Sequence, residues 1–90
     1  MEEFNWKTHH EFRSKVNPIM NDFYKEMEDK GYESRIVADN KRVSVLRHIK
    51  PDTEEIKATV IFDRELDRTI LIWNNRCCCI DYKNRTVLES

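Results

Sequence analysis

Glycine is almost missing from this chain, which contains Gly31 and no other glycine in 90 residues. Phosphate-cradling loops, dinucleotide-binding fingerprints and nucleophile elbows each need several glycines, because their backbone must turn sharply or approach a ligand closely. The shortage therefore excludes these three kinds of site. It also counts against the small bent barrels that bind RNA, in which glycine relieves sharp strand bends.

An excess of charge of one sign and a long apolar run are lacking as well. The 16 Lys and Arg residues nearly balance 17 Asp and Glu residues, giving a formal net charge of -1, which counts against a strongly basic nucleic-acid binder. No apolar run approaches the roughly 18 residues of a membrane span. The N-terminus lacks the basic and apolar regions of a signal peptide. We therefore expect a cytoplasmic protein with no membrane partner.

The cysteines are few and adjacent, at Cys77, Cys78 and Cys79, so they cannot build a disulfide framework within the chain. Successive strand residues point to opposite faces, and only Cys77 and Cys79 would share a side, which is too few ligands for a metal site. We expect reduced thiols that act as small apolar side chains, with no metal and no cofactor.

No catalytic constellation is evident. The His9-His10 pair lacks the partner four residues on that a metalloprotease helix requires, and His48 is expected to be a surface histidine. The segment 63–68 resembles the opening of a calcium loop, but a loop that starts at Asp63 would have Arg68 at its sixth position and Asn74 at its twelfth, where Gly and Glu are needed. An enzyme therefore ranks last among the functional hypotheses.

The N-terminal third has the pattern of an amphipathic helix. Thr8 and Glu11 have the spacing of a capping box, and apolar residues then recur on one stripe. Gly31 is placed to end the helix in the left-handed conformation. At Pro18, either Asn17 caps a second helix or one helix continues with a kink. We prefer the kink, because the stripe passes Pro18 without a phase break.

From residue 32 the apolar period changes to alternation, which is typical of strands. The predicted segments are 32–38, 42–49, 56–62, 68–73 and 76–82, with a possible short sixth at 86–88. The breaks between them are short enough to be hairpins, and Asn74-Asn75 suits a two-residue type I′ turn. We predict an α+β fold and a single domain, residues 1–90. It has an N-terminal arm at 1–7, one long helix at 8–31, and a five-stranded antiparallel meander sheet within 32–88 packed against the helix.

The cleanest alternation predicts which residues face the helix: Ile56, Ala58, Val60 and Phe62. A register that sets Val45 against Val60 extends this core face to a second strand. By parity, Leu46 and Ile61 then point away from the helix. Basic residues in 35–50 and acidic residues in 51–67 are expected to pair across these strands.

The most apolar stretch is Thr69–Trp73, whose four consecutive large apolar residues require cover on both faces. A single helix covers one face. The strand's phase is open, so either Ile70 and Ile72 or Leu71 and Trp73 join Leu46 and Ile61 on the far side. That patch is covered by Phe4, Trp6 and Val87-Leu88, or is enclosed because the sheet curls upon itself, or is a surface for self-association or a partner.

We therefore expect a small non-enzymatic protein-binding module, such as an inhibitor, an adaptor or a homo-oligomer, that uses the helix-free sheet face or its edge. Self-association is expected to give a dimer. Phages and mobile elements often encode inhibitors of this size. The predicted partner-binding residues are Trp73, Leu71, Ile61, Leu46 and Leu66. The alternative is a nucleic-acid binder that uses basic and aromatic residues on the sheet. Its contacts would be Arg35, Arg42, Arg47, Arg76 and Arg85, with Trp73 for stacking.

Overall fold

The chain folds as one N-terminal helix packed against an antiparallel sheet, which confirms the predicted α+β class. The computed structural model describes residues 5–90. Its elements are α1 (Trp6–Asp29), β1 (Glu33–Asp39), β2 (Val43–Lys50), β3 (Glu55–Asp63), β4 (Arg68–Trp73), β5 (Arg76–Asp81) and β6 (Thr86–Glu89). The strands pair in chain order as a six-stranded meander. The short segment at 86–88 is thus a sixth strand that pairs with β5.

Helix α1 begins earlier than the capping-box spacing predicted. Asn5 is the N-cap, and its side-chain oxygen accepts a hydrogen bond from the Thr8 N–H at 3.1 Å. Asparagine caps a helix as well as threonine does, so the helix begins two residues before the predicted start at residue 8. Trp6 is its first residue and is 76% exposed. The Phe4 that was expected to accompany Trp6 lies outside the described residues.

The other end of α1 matches the prediction. Gly31 has φ +65°, and its N–H donates to the Glu28 carbonyl at 3.0 Å. The next N–H, of Tyr32, donates to the Met27 carbonyl, also at 3.0 Å. This pair of bonds is the Schellman pattern that satisfies the last carbonyls of a helix. The helix is continuous through Pro18, so the hypothesis of a second helix capped by Asn17 is wrong.

The hydrophobic core lies between α1 and the three strands β3, β4 and β5. The buried residues of the cluster are Phe12, Val16, Phe23, Met27, Ala58, Val60, Leu71, Cys78 and Ile80. Phe23 and Ile80 have 0% exposure, and each large side chain of this kind contributes about 1.5–3 kcal/mol by its burial. Helix α1 is not apolar over a long enough stretch to cross a membrane, and residues 5–90 contain no other helix.

The register between β2 and β3 differs by one residue from the prediction over most of its length. Ile49 does pair with Ile56, but a bulge follows, and Leu46 rather than Val45 lies opposite Val60. The bulge places one extra residue in β3. Because the side-chain period of a strand is two, the β2 residues opposite Ala58 to Asp63 point to the face opposite to the one predicted. Leu46 therefore faces the helix, and the prediction that it points away is wrong. Ile56, predicted to face the helix, is 51% exposed.

The structure also fixes the phase of β4. Thr69 and Leu71 are buried beneath α1 with 3% and 2% exposure, and Trp73 packs against the same core. Alternation then places Ile70 and Ile72 on the opposite side of the sheet. Asn74 and Asn75 have φ of 54° and 59°, which are the two left-handed conformations of a type I′ hairpin turn.

Candidate interaction surface

The side of the sheet opposite α1, which we call the open face, carries a continuous apolar row. Its members are Ala38, Val45, Ile61, Ile70, Cys79 and Leu88, one from each strand in order from β1 to β6. Each is the direct cross-strand partner of the next, so their side chains lie side by side across the whole sheet. No element of residues 5–90 packs over this row.

The apolar side chains of the open face range from exposed to half-buried. Leu88 is 70% exposed and Ile72 is 44% exposed, whereas Val45, Ile61 and Ile70 are half-buried by their neighbours on the same sheet. Among the described residues, no aromatic ring is part of this face. The apolar row of this face therefore consists of aliphatic and thiol side chains.

A charged row borders the apolar row where β2, β4 and β6 begin. Arg68 lies between Asp63 and Asp81 in the strand register, and its Nε is 4.0 Å from an Asp81 oxygen. That Nε is shielded from solvent and has no hydrogen-bond partner among residues 5–90. Backbone and side-chain hydrogen bonds from Asn84, with the charge of Arg68, lower the pKa of Asp81. Acidic and basic groups thus alternate along this border.

A second row borders the apolar row on its other side, and Arg35 and Arg47 face each other within it. Arg35 forms ion pairs with Glu54 at 2.6 Å and with Glu33 at 3.1 Å. The hydrogen bonds to Glu54 and Glu33 raise the pKa of the Arg35 guanidinium. Arg47 forms no ion pair with any of residues 5–90 and is exposed. It is thus a cation of this surface whose charge remains uncompensated by the described chain.

Only one of the five residues predicted to bind a partner lies on the open face, and that residue is Ile61. Leu66 is 40% exposed at the tip of the β3–β4 hairpin, where its N–H donates to Asp63 Oδ1 at 3.1 Å. Leu46, Leu71 and Trp73 all lie on the helix side of the sheet. The face is instead formed chiefly by Val45, which was predicted to face the helix, by Ile70, whose side was left open, and by Leu88, which was considered only as cover for the patch. The one available signal was the alternation of β4, which allowed two phases.

Trp73 is part of the helix–sheet contact. Its ring meets that of Phe23 edge-on, with centroids 5.4 Å apart, and its indole N–H donates to the Glu26 carboxylate. A hydrogen bond from Lys30, followed by the one from Trp73, lowers the pKa of Glu26 against the effect of burial. The aromatic and polar ends of Trp73 are therefore both engaged by α1.

His48 and the three cysteines, which were considered for catalysis or metal binding, are strand residues of the sheet. His48, expected at the surface, is 8% exposed, and its ring lies edge-on to Phe23 at 5.1 Å. It is buried because the β2 register turns it towards α1. Burial lowers the pKa of His48 and raises that of the Cys78 thiol, so both groups favour their neutral forms. Cys77 and Cys79 lie on the open face, and all three cysteines are free.

The five arginines of the nucleic-acid hypothesis are dispersed. Arg42 forms ion pairs with Glu65 at 3.0 Å and Asp63 at 3.8 Å, as the expected cross-strand pairing requires. Arg42 and Arg85 lie in loops at the end of the sheet opposite Arg35 and Arg47. Arg76 is opposite Trp73 on the helix side. The structure therefore does not gather these cations into one strip.

A groove of about 160 Å³ lies between α1 and the strands β4 to β6. Ile19, Leu71 and Trp73 line it, and charges of both signs, from Asp22, Arg76 and Glu89, surround them. No group of three or more His, Cys, Asp or Glu side chains in residues 5–90 is arranged to hold a metal ion. Known protein-family models, curated proteins and solved structures were compared with the chain, and none matches it.

Proposed function

We propose that this chain is a small non-enzymatic protein-binding module, and that the open face is its binding surface. The observation that carries the proposal is the apolar row from Ala38 to Leu88, which crosses all six strands beneath no other element of residues 5–90. Sheets with one solvated face normally alternate apolar and polar residues. A continuous exposed apolar surface is unfavourable in water and is typical of sites that bind another protein.

Face binding is favoured over edge binding by the form of β1. This edge strand exposes Ile36 by 67% and Val37 by 45%, and it would offer an apolar template to an incoming strand. However, a bulge lies between Ile36 and Ala38, and bulges interrupt the regular hydrogen bonding that strand addition requires. The face has no such interruption between β3 and β6.

An inhibitor, an adaptor and a homo-oligomer are all consistent with such a surface, and each works by contact rather than by turnover. The burial of His48 and Cys78 supports a non-enzymatic role, because neither side chain can reach a substrate at the surface. A cytoplasmic location belongs to the same proposal, since an exposed free Cys77 suits a reducing compartment.

The test compares two exposed isoleucines whose side chains point to opposite faces of the sheet. A photoreactive phenylalanine analogue replaces Ile72 on the open face or Ile36 on the helix side, and irradiation is carried out in the native host. We expect protein adducts from position 72 and few from position 36. A Leu88→Asp change in the same chain should reduce the adducts from position 72. Equal yields at both positions, or none at 72, would contradict the proposal.

A further inference from the structure

We infer that the partner of the open face is a second copy of this chain. The two sheets pack face to face about a two-fold axis, with the two α1 helices on the outside. The inference rests on the proposed function, because it names the partner of the same surface. It follows from three properties of the face: its composition, its symmetry and its size.

The composition of the open face is that of one half of a sandwich core. Surfaces that bind exchangeable partners are commonly anchored by Trp, Tyr and Arg in central pockets. Here the described rings of the core, including Phe23, Phe62, Trp73 and Tyr82, lie on the helix side. The face offers Val45, Ile61, Ile70 and Ile72 instead. Such aliphatic surfaces are typical of homodimer interfaces, which are more apolar than the interfaces of exchangeable partners.

The position of the apolar row suits two-fold symmetry. The row includes one residue of each strand, from Ala38 to Leu88; it crosses β4 and β5 near their middle and the first three strands near the end that holds Asp39, Val43 and Asp63. A two-fold axis in the plane of the interface can run along the row or perpendicular to the row through its centre. Either axis places the row of one copy over the row of the other. In a two-fold interface the same patch serves both subunits, so apolar side chains of one copy meet apolar side chains of the other.

The charges beside the row are compatible with self-association. Asp63, Arg68 and Asp81 alternate in sign along one border, so a second copy meets no field of a single sign. With the axis along the row, this border lies over the row of Arg47 in the other copy. Arg47, which has no ion pair among residues 5–90, then approaches Asp63 of the partner subunit. Complementary placement of charges fixes the orientation of an interface.

The size of the face is sufficient for a specific dimer. Three rows of side chains across six strands cover on the order of 600 Å² in each copy, from the strand spacing and the rise per residue. A face-to-face pair therefore buries on the order of 1,200 Å² in total, at the lower limit of stable specific interfaces. The dimer should consequently dissociate at measurable concentrations.

Sedimentation velocity of the full chain from micromolar to submillimolar concentration tests the inference. We expect a monomer–dimer equilibrium for the wild type. Ile72→Lys places a charge in the interface and should raise the dissociation constant by about tenfold or more. Ile36→Lys makes the same change at an exposed strand position on the helix side and should change the constant by less than about twofold. Circular dichroism checks that both variants are folded.

The accessibility of Cys79 provides a second readout that needs no apolar-to-charge change. In a Cys77→Ser chain, the alkylation rate of Cys79 should fall as protein concentration rises, because the dimer covers the apolar row. It should be independent of concentration when Ile72→Lys is added.

The outcomes separate this inference from the proposed function. A wild type that stays monomeric overturns the second copy as partner, as does a dimer weakened by Ile36→Lys and not by Ile72→Lys. If the monomeric chain still gives adducts with a different protein from position 72, the proposed function stands and only the inference fails. If position 72 gives no protein adduct at all, both fail.

Discussion

His48 is a buried titratable side chain on the helix side of β2, enclosed by Phe23 and 8% exposed. Burial lowers its pKa because the charged imidazolium loses hydration in the core. In the unfolded chain the same side chain takes up a proton near its usual pKa of about 6.5. Between the two pKa values the unfolded state holds more protons, so the free energy of unfolding must fall as the pH decreases through that window.

We predict that the wild type loses stability as the pH falls from about 7 to 5, with a limiting slope of about 1.4 kcal/mol per pH unit for one proton. His48→Leu should flatten this dependence, and urea unfolding at several pH values measures it. The carboxylates with lowered pKa values, Glu26, Glu54 and Asp81, have ordinary values of 4.5, 4.5 and 3.8 and affect stability at lower pH.

His10→Gln is the matched control, because it replaces a histidine that is exposed on the outside of α1. If His48→Leu is folded and retains the wild-type slope between pH 7 and 5, the imidazole is not the group that responds.

The Trp73 side chain contributes a ring contact and a hydrogen bond to the same helix. Trp73→Phe keeps a ring near Phe23 and removes the indole N–H that Glu26 accepts, which should lower the free energy of unfolding by about 1–2 kcal/mol. Trp73→Ala also removes the ring and should cost about 2–4 kcal/mol. Thermal and urea unfolding measure both changes.

The sedimentation behaviour of the Trp73→Phe chain should equal that of the wild type, since Trp73 is on the helix side and not on the open face. Loss of assembly in a stably folded Trp73→Phe chain would mean that Trp73 takes part in the interface.

At the scale of elements, the end of α1 depends on the backbone conformation of Gly31. Its φ is +65°, and a Cβ built at this position has no atom within 4 Å. We therefore predict that Gly31→Ala costs about 1 kcal/mol or slightly more through left-handed backbone strain alone, with no steric clash. Gly31→Asn should cost less, because Asn tolerates this conformation. Equal stability of all three chains in urea unfolding would refute the argument.

The strand boundaries were predicted from the sequence to within one residue, and both ends of β4 were predicted correctly. Alternation and polar breaks suffice for this, because each connection is a hairpin. The register of β2 on β3 was not predicted correctly beyond the Ile49–Ile56 pair. The bulge there adds one residue to β3 near Lys57, where no glycine or proline signals it. That single residue moved Leu46 to the core and Val45 to the open face.

The sequence predicted an apolar sheet face without a covering helix, but of the residues that form it only Ile61 was among those predicted to bind a partner. The sequence indicated that one helix is insufficient for the apolar strands, and the structure agrees. It did not indicate which of the pairs Ile70 and Ile72 or Leu71 and Trp73 is uncovered, because both pairs are large and apolar. Only the packing of α1 on Leu71 decides between them. Which face each side chain of β4 takes is decided by the packing of the assembled sheet. The sequence of a strand that is apolar on both faces does not indicate it.

At the scale of the whole molecule, the fold has two layers, α1 and the sheet, although the sheet has two apolar faces. A sheet normally buries each apolar face against another layer, and this chain uses its one described helix on the side of Phe23 and Ile80. A second copy would supply the missing layer and give the order helix, sheet, sheet, helix. Folding and assembly would then be coupled, because dissociation exposes the apolar row to water.

This coupling predicts that thermal stability depends on protein concentration. When the native state is a dimer, a higher concentration favours it over unfolded monomers by mass action. From the average entropy of unfolding per residue, a tenfold increase in concentration should raise the Tm of a 90-residue chain by about 4 °C at most. The increase should be smaller where the dimer is partly dissociated. Differential scanning calorimetry at several concentrations measures it.

Ile72→Lys should abolish the concentration dependence of Tm. Ile36→Lys should retain it. The comparison is informative because both changes introduce one lysine at an exposed isoleucine, with exposures of 44% and 67%, and differ in the side of the sheet. A Tm that is independent of concentration in the wild type would mean that the free energy of the two-layer monomer alone maintains the fold. The open face would then be stable in water without a second layer, and its apolar row would be available to a different protein.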